Sequence, residues 1–199
     1  MPNTLIDGII HTSLVVCFLL CKVLMTKDVI TLAPITLPSD NANILLSQGL
    51  EWWENSGGVI GRDQATTRIL ENLQISVIQR EDRIPPLIHA GNTSVTAQVF
   101  GHNWAKTCSG STLPDAEFDL AVTESYIKVL EENKPVAHEV VAPLAHPVKG
   151  NCLVSYQRLL LPCRFKSGGN VIGSITSLKS FYVQQDIPNH GAPSKPTNR

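Results

Sequence analysis

Apolar and polar positions alternate along this chain in two rhythms. From Ile44 to Asn55, the apolar residues Leu45, Leu46, Leu50, Trp52 and Trp53 recur about every three to four positions, the period of a helix with one buried face. Ser39-Asp40-Asn41 before it is an N-cap signal, and Ser56-Gly57-Gly58 stops it. Gly61 to Thr66 leads into a second, short helix over 67–72. Leu73–Arg80 reads as a first strand, Asp82–Pro86 as a turn and Leu87–Gly91 as a second strand. Asn92-Thr93-Ser94 opens a short helical segment that runs to Phe100, and Trp104 and Cys108 fall in an irregular stretch after Gly101.

The longest helix is predicted over Ala116–Asn133. Pro114 at its start, with Asp115 and Glu117 in the first turn, suits the positive end of a helix. Three strands follow: Val136–Ala142, Cys152–Phe165 and Val171–Val183. The last two are joined by Ser167-Gly168-Gly169-Asn170, a strong hairpin turn. The order is therefore two strands, several short helices, one long helix and three strands, which makes the fold class α+β. Residues 26–42, with Pro34 and Pro38, read as a connector, and the tail from Gln184, with Pro188, Pro193 and Pro196, as disordered.

Composition narrows the partners. With 16 Lys and Arg against 17 Asp and Glu there is no basic stripe to track a phosphate backbone, so no nucleic-acid partner is expected. The five cysteines form no C-x-x-C pair and lack the spacing of a zinc site, and are expected to be free thiols in a reducing compartment. Residues 5–25 are an apolar run that just reaches the roughly 20 residues of a membrane-spanning helix, but contain Asp7, His11 and Lys22. They lack the basic start and small-residue cleavage site of a secretory signal. If they span, Lys22 and Lys27 place the body of the chain in the cytoplasm. A docking helix at a dimer interface and a start codon assigned upstream of the true one stay open beside the anchor.

Several short motifs fall in the same order as the predicted elements. They are Phe100-Gly101-His102-Asn103-Trp104, then Gly110, then a long helix closing in Asn133-Lys134-Pro135-Val136, then Tyr156-Gln157-Arg158-Leu159-Leu160-Leu161-Pro162. Over roughly residues 43–183 this resembles a PAS sensor domain, in particular the small stand-alone PAS proteins common in alphaproteobacteria. The family has a comparable tryptophan, Gly-Gly and arginine passage ahead of its core; here Ile60-Gly61 stand where a proline is common. The resemblance implies a PAS fold, a five-stranded antiparallel sheet with helices on one face that encloses a pocket, plus an N-terminal helical extension. It divides the chain into an apolar segment and linker (1–42), the PAS domain with its flanking helix (43–183) and a tail (184–199).

That frame bears on the candidate chemistry of the chain. Haem-binding PAS domains carry an iron-ligating His on the long helix, and Ala116–Asn133 has none; His102 and His138 remain the possible ligands. Pro162-Cys163-Arg164-Phe165 echoes the cysteine motif of photoactive flavin PAS domains, but lies after the long helix rather than before it and lacks the preceding Asn. Cys108 with His102, and Cys152 with His146, are close in sequence only, which does not make a catalytic dyad. No phosphate loop or hydrolase elbow is present, and the chain is not expected to be an enzyme.

The candidate pocket residues are His102, Trp104, Tyr126, His138, Tyr156 and Arg158, with no particular cofactor implied. Strand alternation puts Tyr156 and Arg158 on the face opposite Leu159 and Leu161, and the pattern does not settle which face is inward. Trp52 and Trp53 are adjacent on a helix and cannot both face one core, so one is a candidate exposed contact in a homodimer. The resulting expectation is a sensory or protein-interaction module of bacterial signal transduction, without its own output domain and acting through a partner. The alternative is a protein that binds a small molecule (metabolite or haem) in the PAS cavity. The expected location is cytoplasmic, or inner membrane with the PAS body in the cytoplasm.

Overall fold

A computed structural model describes residues 30–37, 43–77 and 84–184. The apolar segment 5–25, Cys17 and Cys21, the N-cap cluster 39–41 and the tail beyond Gln184 lie outside the described residues. Among the described residues seven strands form one sheet: β1 (Thr31–Ile35), β2 (Val59–Ile60), β3 (Leu73–Val77), β4 (Leu87–Ala90), β5 (Val136–His146), β6 (Gly150–Phe165) and β7 (Asn170–Val183). Among the described residues five helices accompany them: α1 (Ile44–Ser56), α2 (Gln64–Leu70), α3 (Val95–Phe100), α4 (His102–Thr107) and α5 (Ala116–Glu132). The strand order is β1-β5-β6-β7-β3-β4, antiparallel throughout, and β2 adds a short parallel pairing onto the end of β6.

The α+β order read from the sequence is present, with the long helix and the three long strands where they were expected. The sheet has seven strands rather than five. Both additions attach to strands of the expected set. β1 lies in the predicted connector and pairs with β5, from Thr31 opposite Val141 to Ile35 opposite Ala137. Pro34 is compatible with this because β1 is an edge strand, where a missing N–H breaks no inner ladder. Gly101, at φ 98°, ends α3 and starts α4, so the stretch expected to be irregular is a short helix. The second helix begins three residues earlier than predicted because Asp63 caps it, its carboxylate accepting from the Thr66 N–H at 2.8 Å and the Thr66 hydroxyl at 2.7 Å. For α1 the cap is Asn43, whose side chain accepts from Leu45 N–H.

The helices lie on both faces of the sheet, not one. Every residue of β6 from Tyr156 to Cys163 is buried, so both alternating sets point into packed layers. Leu159, Leu161 and Cys163 pack with Leu46, Trp52, Ile69 and Ile175 beneath α1 and α2. Tyr156 packs with Val95, Phe118, Val122 and Val140 beneath α3 and α5, and Leu160 meets Val129. Helix α1 thus packs into the core on one face of the sheet rather than standing as an appendage. Its closeness to the sheet depends on Gly49, where a Cβ would run into Ile175. Both tryptophans are engaged within the chain. Trp52 is buried and its indole N–H donates to Thr66 Oγ1 at 3.3 Å; Trp53 is half-buried and donates to the Pro162 carbonyl at 2.7 Å. Neither is the exposed aromatic that the dimer expectation required.

A tight backbone crossing at the end of β4 gives a direct check. A Cβ at Gly91 would fall on the carbonyl groups of Leu70 and Glu71, which are backbone atoms and cannot swing away. Gly91→Ala is expected to lower unfolding stability by about 1–3 kcal/mol, or more if β4 cannot shift. Urea denaturation of both proteins measures this, and a loss near zero would show that the crossing is looser than described.

Candidate functional site

The face of the sheet beneath α5 carries a row of polar side chains through an otherwise apolar layer. Cross-strand pairing aligns His138 on β5, Arg158 on β6 and Thr176 on β7. The next row holds Leu160, Ser174 and Gln74. Above these rows the long helix presents Phe118, Val122 and Tyr126, spaced four apart on one stripe. Val95 and Val99 of α3 close the side. Between them is an interior cavity of about 40 Å³, lined by these apolar groups and by Gln74, Tyr156, Arg158, Ser174 and Thr176.

Arg158 is the unusual group. It is 1% exposed, and a guanidinium stays charged at any pH the fold tolerates. Its Nη2 donates to Ser125 Oγ at 2.8 Å and its Nη1 reaches the Val122 carbonyl at 3.5 Å, the outer limit of a hydrogen bond. Its Nε–H meets no acceptor. The Tyr126 ring lies 5.9 Å from its Cζ. Among the described residues the ion pairs are Lys128–Glu132 and Lys179–Glu139, and neither neutralises Arg158.

The titratable groups around it reinforce this. His138 sits directly opposite Arg158 on the neighbouring strand, and its Nδ1 is also buried without a partner. Burial first, and then the positive charges of Arg158 and Lys128, lower its pKa to about 4, so the ring is neutral near pH 7. Burial raises the Tyr126 and Tyr156 hydroxyls, against a smaller opposing pull from Arg158, so both are neutral. Asp119 is buried one turn from the cavity-lining Val122. Its Oδ2 accepts from the Leu113 N–H at 2.8 Å, and burial raises its pKa to about 6 despite that bond.

Of the candidate residues, Tyr126, Tyr156 and Arg158 line this one cavity. His138 stands behind it in the polar row without lining it. Trp104 packs against Phe100 (ring centroids 5.3 Å apart) and the β4 cluster, and His102 is exposed at the start of α4; both lie away from the cavity. The sequence reading missed Gln74, Ser174 and Thr176. The signal was present as hydroxyls at alternate positions in β7 between Ile172 and Leu178, which places them on one face of a buried strand.

The other candidate chemistries find less support in the geometry. The thiols of Cys108, Cys152 and Cys163 are free and buried. Burial raises all three, with Cys163 pushed up to about 12, so they are held as thiols rather than thiolates. His146 is occupied with backbone: its Nε2 meets the Val99 carbonyl at 3.0 Å, and its Nδ1 accepts from Val148 and Lys149 in the β5–β6 turn. Among the described residues no three His, Cys, Asp or Glu side chains converge, and no helix is long and apolar enough to cross a membrane. A larger groove of about 950 Å³ runs between α1 and α2, lined by Glu51, Arg62, Asp63, Arg68 and Lys166. It is open to water and its charges are of both signs, so it lacks the unpaired buried charge that marks the interior cavity.

No family model matches the chain, and no curated protein matches it. Among solved structures, the chain is similar to the structure of an RNA-binding light-oxygen-voltage receptor, at 16% identity and a TM-score of 0.40. That alignment covers 75% of this chain and 38% of the receptor chain, so this chain spans well under half of that structure. A likeness at this level carries no argument about function.

The raised Asp119 gives a pH dependence with a definite sign. A carboxyl whose pKa is higher in the folded chain (about 6) than its ordinary 3.8 holds its proton more tightly when folded. The stability it contributes is fully present below the ordinary value and is lost as pH rises through about 6. Asp119→Asn keeps an acceptor for Leu113 N–H and removes the titration. Wild type is expected to lose about 1–3 kcal/mol relative to this variant between pH 4 and pH 7. Urea unfolding of both across that range tests it; parallel pH profiles would place Asp119 in contact with water.

Proposed function

We propose that the chain is a PAS-type sensory and interaction module that detects a small molecule in the cavity beneath α5 and signals through a partner. The observation that carries this reading is the interior cavity holding a buried, unneutralised Arg158 against the long helix. The element order of two strands, helices, a long helix and three strands, with the motifs that resemble the PAS family, supports it. So does the volume: about 40 Å³ is far below the several hundred Å³ of sites for drug-sized ligands, which favours a small metabolite over haem or flavin.

A signalling step follows from the contacts. Arg158 now spends donors on Ser125 and Val122 of α5. A ligand that accepts those donors releases α5 from the sheet, and occupancy is converted into a change in helix position or mobility. Such a ligand acts by shifting a population between held and released helix, to the extent that it binds one state better. The partner reads that change; a second copy of the chain is the simplest candidate, with contacts through the outer surface of α1. The reading is non-enzymatic and places the module in the cytoplasm, with or without a tether through residues 5–25.

Native mass spectrometry of the full chain, with an absorbance spectrum of the same sample, tests this. Extra mass without a visible band is the expected outcome. Extra mass with a chromophore band would move the reading to a cofactor sensor. A bare monomer whose mass and state respond to no small molecule and no partner would overturn it.

A further inference from the structure

The sensory reading leaves the ligand's chemistry open, and the cavity narrows it. We propose that the cavity beneath α5 is a receptor site for a short-chain carboxylate, with the Arg158 guanidinium as its charge partner. The inference rests on the sensory reading and names its ligand class.

Charge is the first argument. A guanidinium cannot shed its proton, so a buried one is tolerated only with a neutralising partner or a full set of acceptors. Arg158 meets Ser125 Oγ, the Val122 carbonyl and the Tyr126 hydroxyl on α5, none of them charged, and its Nε–H has no acceptor. The groups facing it bring no negative charge: Tyr126 offers a ring face and a neutral hydroxyl, Tyr156 is a neutral phenol, Thr176 a hydroxyl and His138 an uncharged ring with its own unpartnered nitrogen. Asp119, the buried carboxyl of the same helix, is turned to the Leu113 N–H and forms no ion pair with Arg158. The unfilled requirement is an anion that accepts from the Nε edge of the fork. A carboxylate does this with two parallel hydrogen bonds.

Size and polarity supply the rest. A cavity of about 40 Å³ holds roughly three waters, or the few heavy atoms of an acid of roughly two to four carbons. The strands contribute the polar Arg158, Thr176 and Ser174 to the lining, and helices α3 and α5 the apolar Val95, Val99 and Val122. A tetrahedral inorganic anion would leave oxygens against the valines without donors. A carboxylate with a short alkyl tail matches both sides. Binding at that edge takes the unused Nε–H and one Nη–H, so the ligand competes with α5 for at most one of the two Nη groups that hold Ser125 Oγ and the Val122 carbonyl.

The test uses the full-length chain and sodium propionate as the probe, at constant ionic strength. Propionamide is the uncharged isostere and sodium phosphate the inorganic anion. Calorimetric titration is expected to show propionate binding at least roughly tenfold tighter than either comparison compound, and the preference lost in Arg158→Met. Because that variant removes a buried group, a second readout stands independent of its folding: the Arg158 Nε–H resonance of ¹⁵N-labelled wild type should move on adding propionate and not propionamide. Equal binding of propionate and propionamide, tighter binding of phosphate, or an Nε–H resonance indifferent to propionate would each overturn the carboxylate assignment. Propionamide or another neutral compound seated in the cavity would do so while leaving the sensory reading intact. A chain that binds none of the probes and carries no copurified small molecule or partner would remove both.

Discussion

The central strand β6 is covered on both faces, and that constraint organises the molecule. Coverage by α1 and α2 on one side and by α3 and α5 on the other leaves no edge of β6 near Arg158 by which water reaches its side chain. In a sheet with one wet face, Tyr156 and Arg158 would take the solvent side and Leu159 and Leu161 the core. Here both sets are interior, and a residue that a half-exposed strand carries at no cost becomes a buried charge. An arrangement that retains such a group has either a compensating network or a use for the unpaired charge. The hydrogen bonds of Arg158 supply only part of a network.

The same constraint explains why the N-terminal part of the domain cannot be treated as optional. The layer under α1 and α2 contains Leu159, Leu161 and Ile175, three of the largest fully buried side chains. Trp52 and Trp53 tie α1 to α2 and to β6 by their indole N–H groups, and the Gln157 side chain accepts from the Asn43 N–H at the start of the helix. Removing α1 would expose that layer and wet the strand that carries Arg158 from behind. The integrity of the cavity on one face therefore depends on packing on the other, although no side chain of α1 reaches it.

Much of this was legible in the sequence, and the gaps have identifiable causes. Long periodic elements were read closely: α1 and α5, whose apolar residues recur at the helical period, and the β6–β7 hairpin, whose Gly168-Gly169 turn allows little else. β1 was missed because two prolines read as a connector, and an edge strand is the place where proline does not matter. The short α4 was missed because Gly101 suggested an interruption, whereas its positive φ turns the chain directly from one helix into the next. Tyr126, Tyr156 and Arg158 were named because they are large and polar; Ser174 and Thr176 are small, and their importance depends on cross-strand register, which a linear pattern does not encode. Conversely His102 and Trp104 drew attention as residue types, and their place outside the cavity follows from the direction in which Gly101 sends α4.

The buried row also bears on how such a site can communicate. Arg158 is bracketed by His138 and Thr176 in the ladder, and Thr176 Oγ1 accepts from the Val95 N–H at the start of α3. Arg158 itself holds α5 through Ser125 and Val122. One cross-strand row is thus hydrogen-bonded to two helices at once, each through a side chain that borders the cavity. A change in what Arg158 holds alters the anchoring of α5 directly. It reaches α3 through the adjoining Thr176, while the strands, locked in their ladders, stay in place. The mobile elements of a switch built this way are the helices, and the sheet is the fixed frame against which their displacement is read.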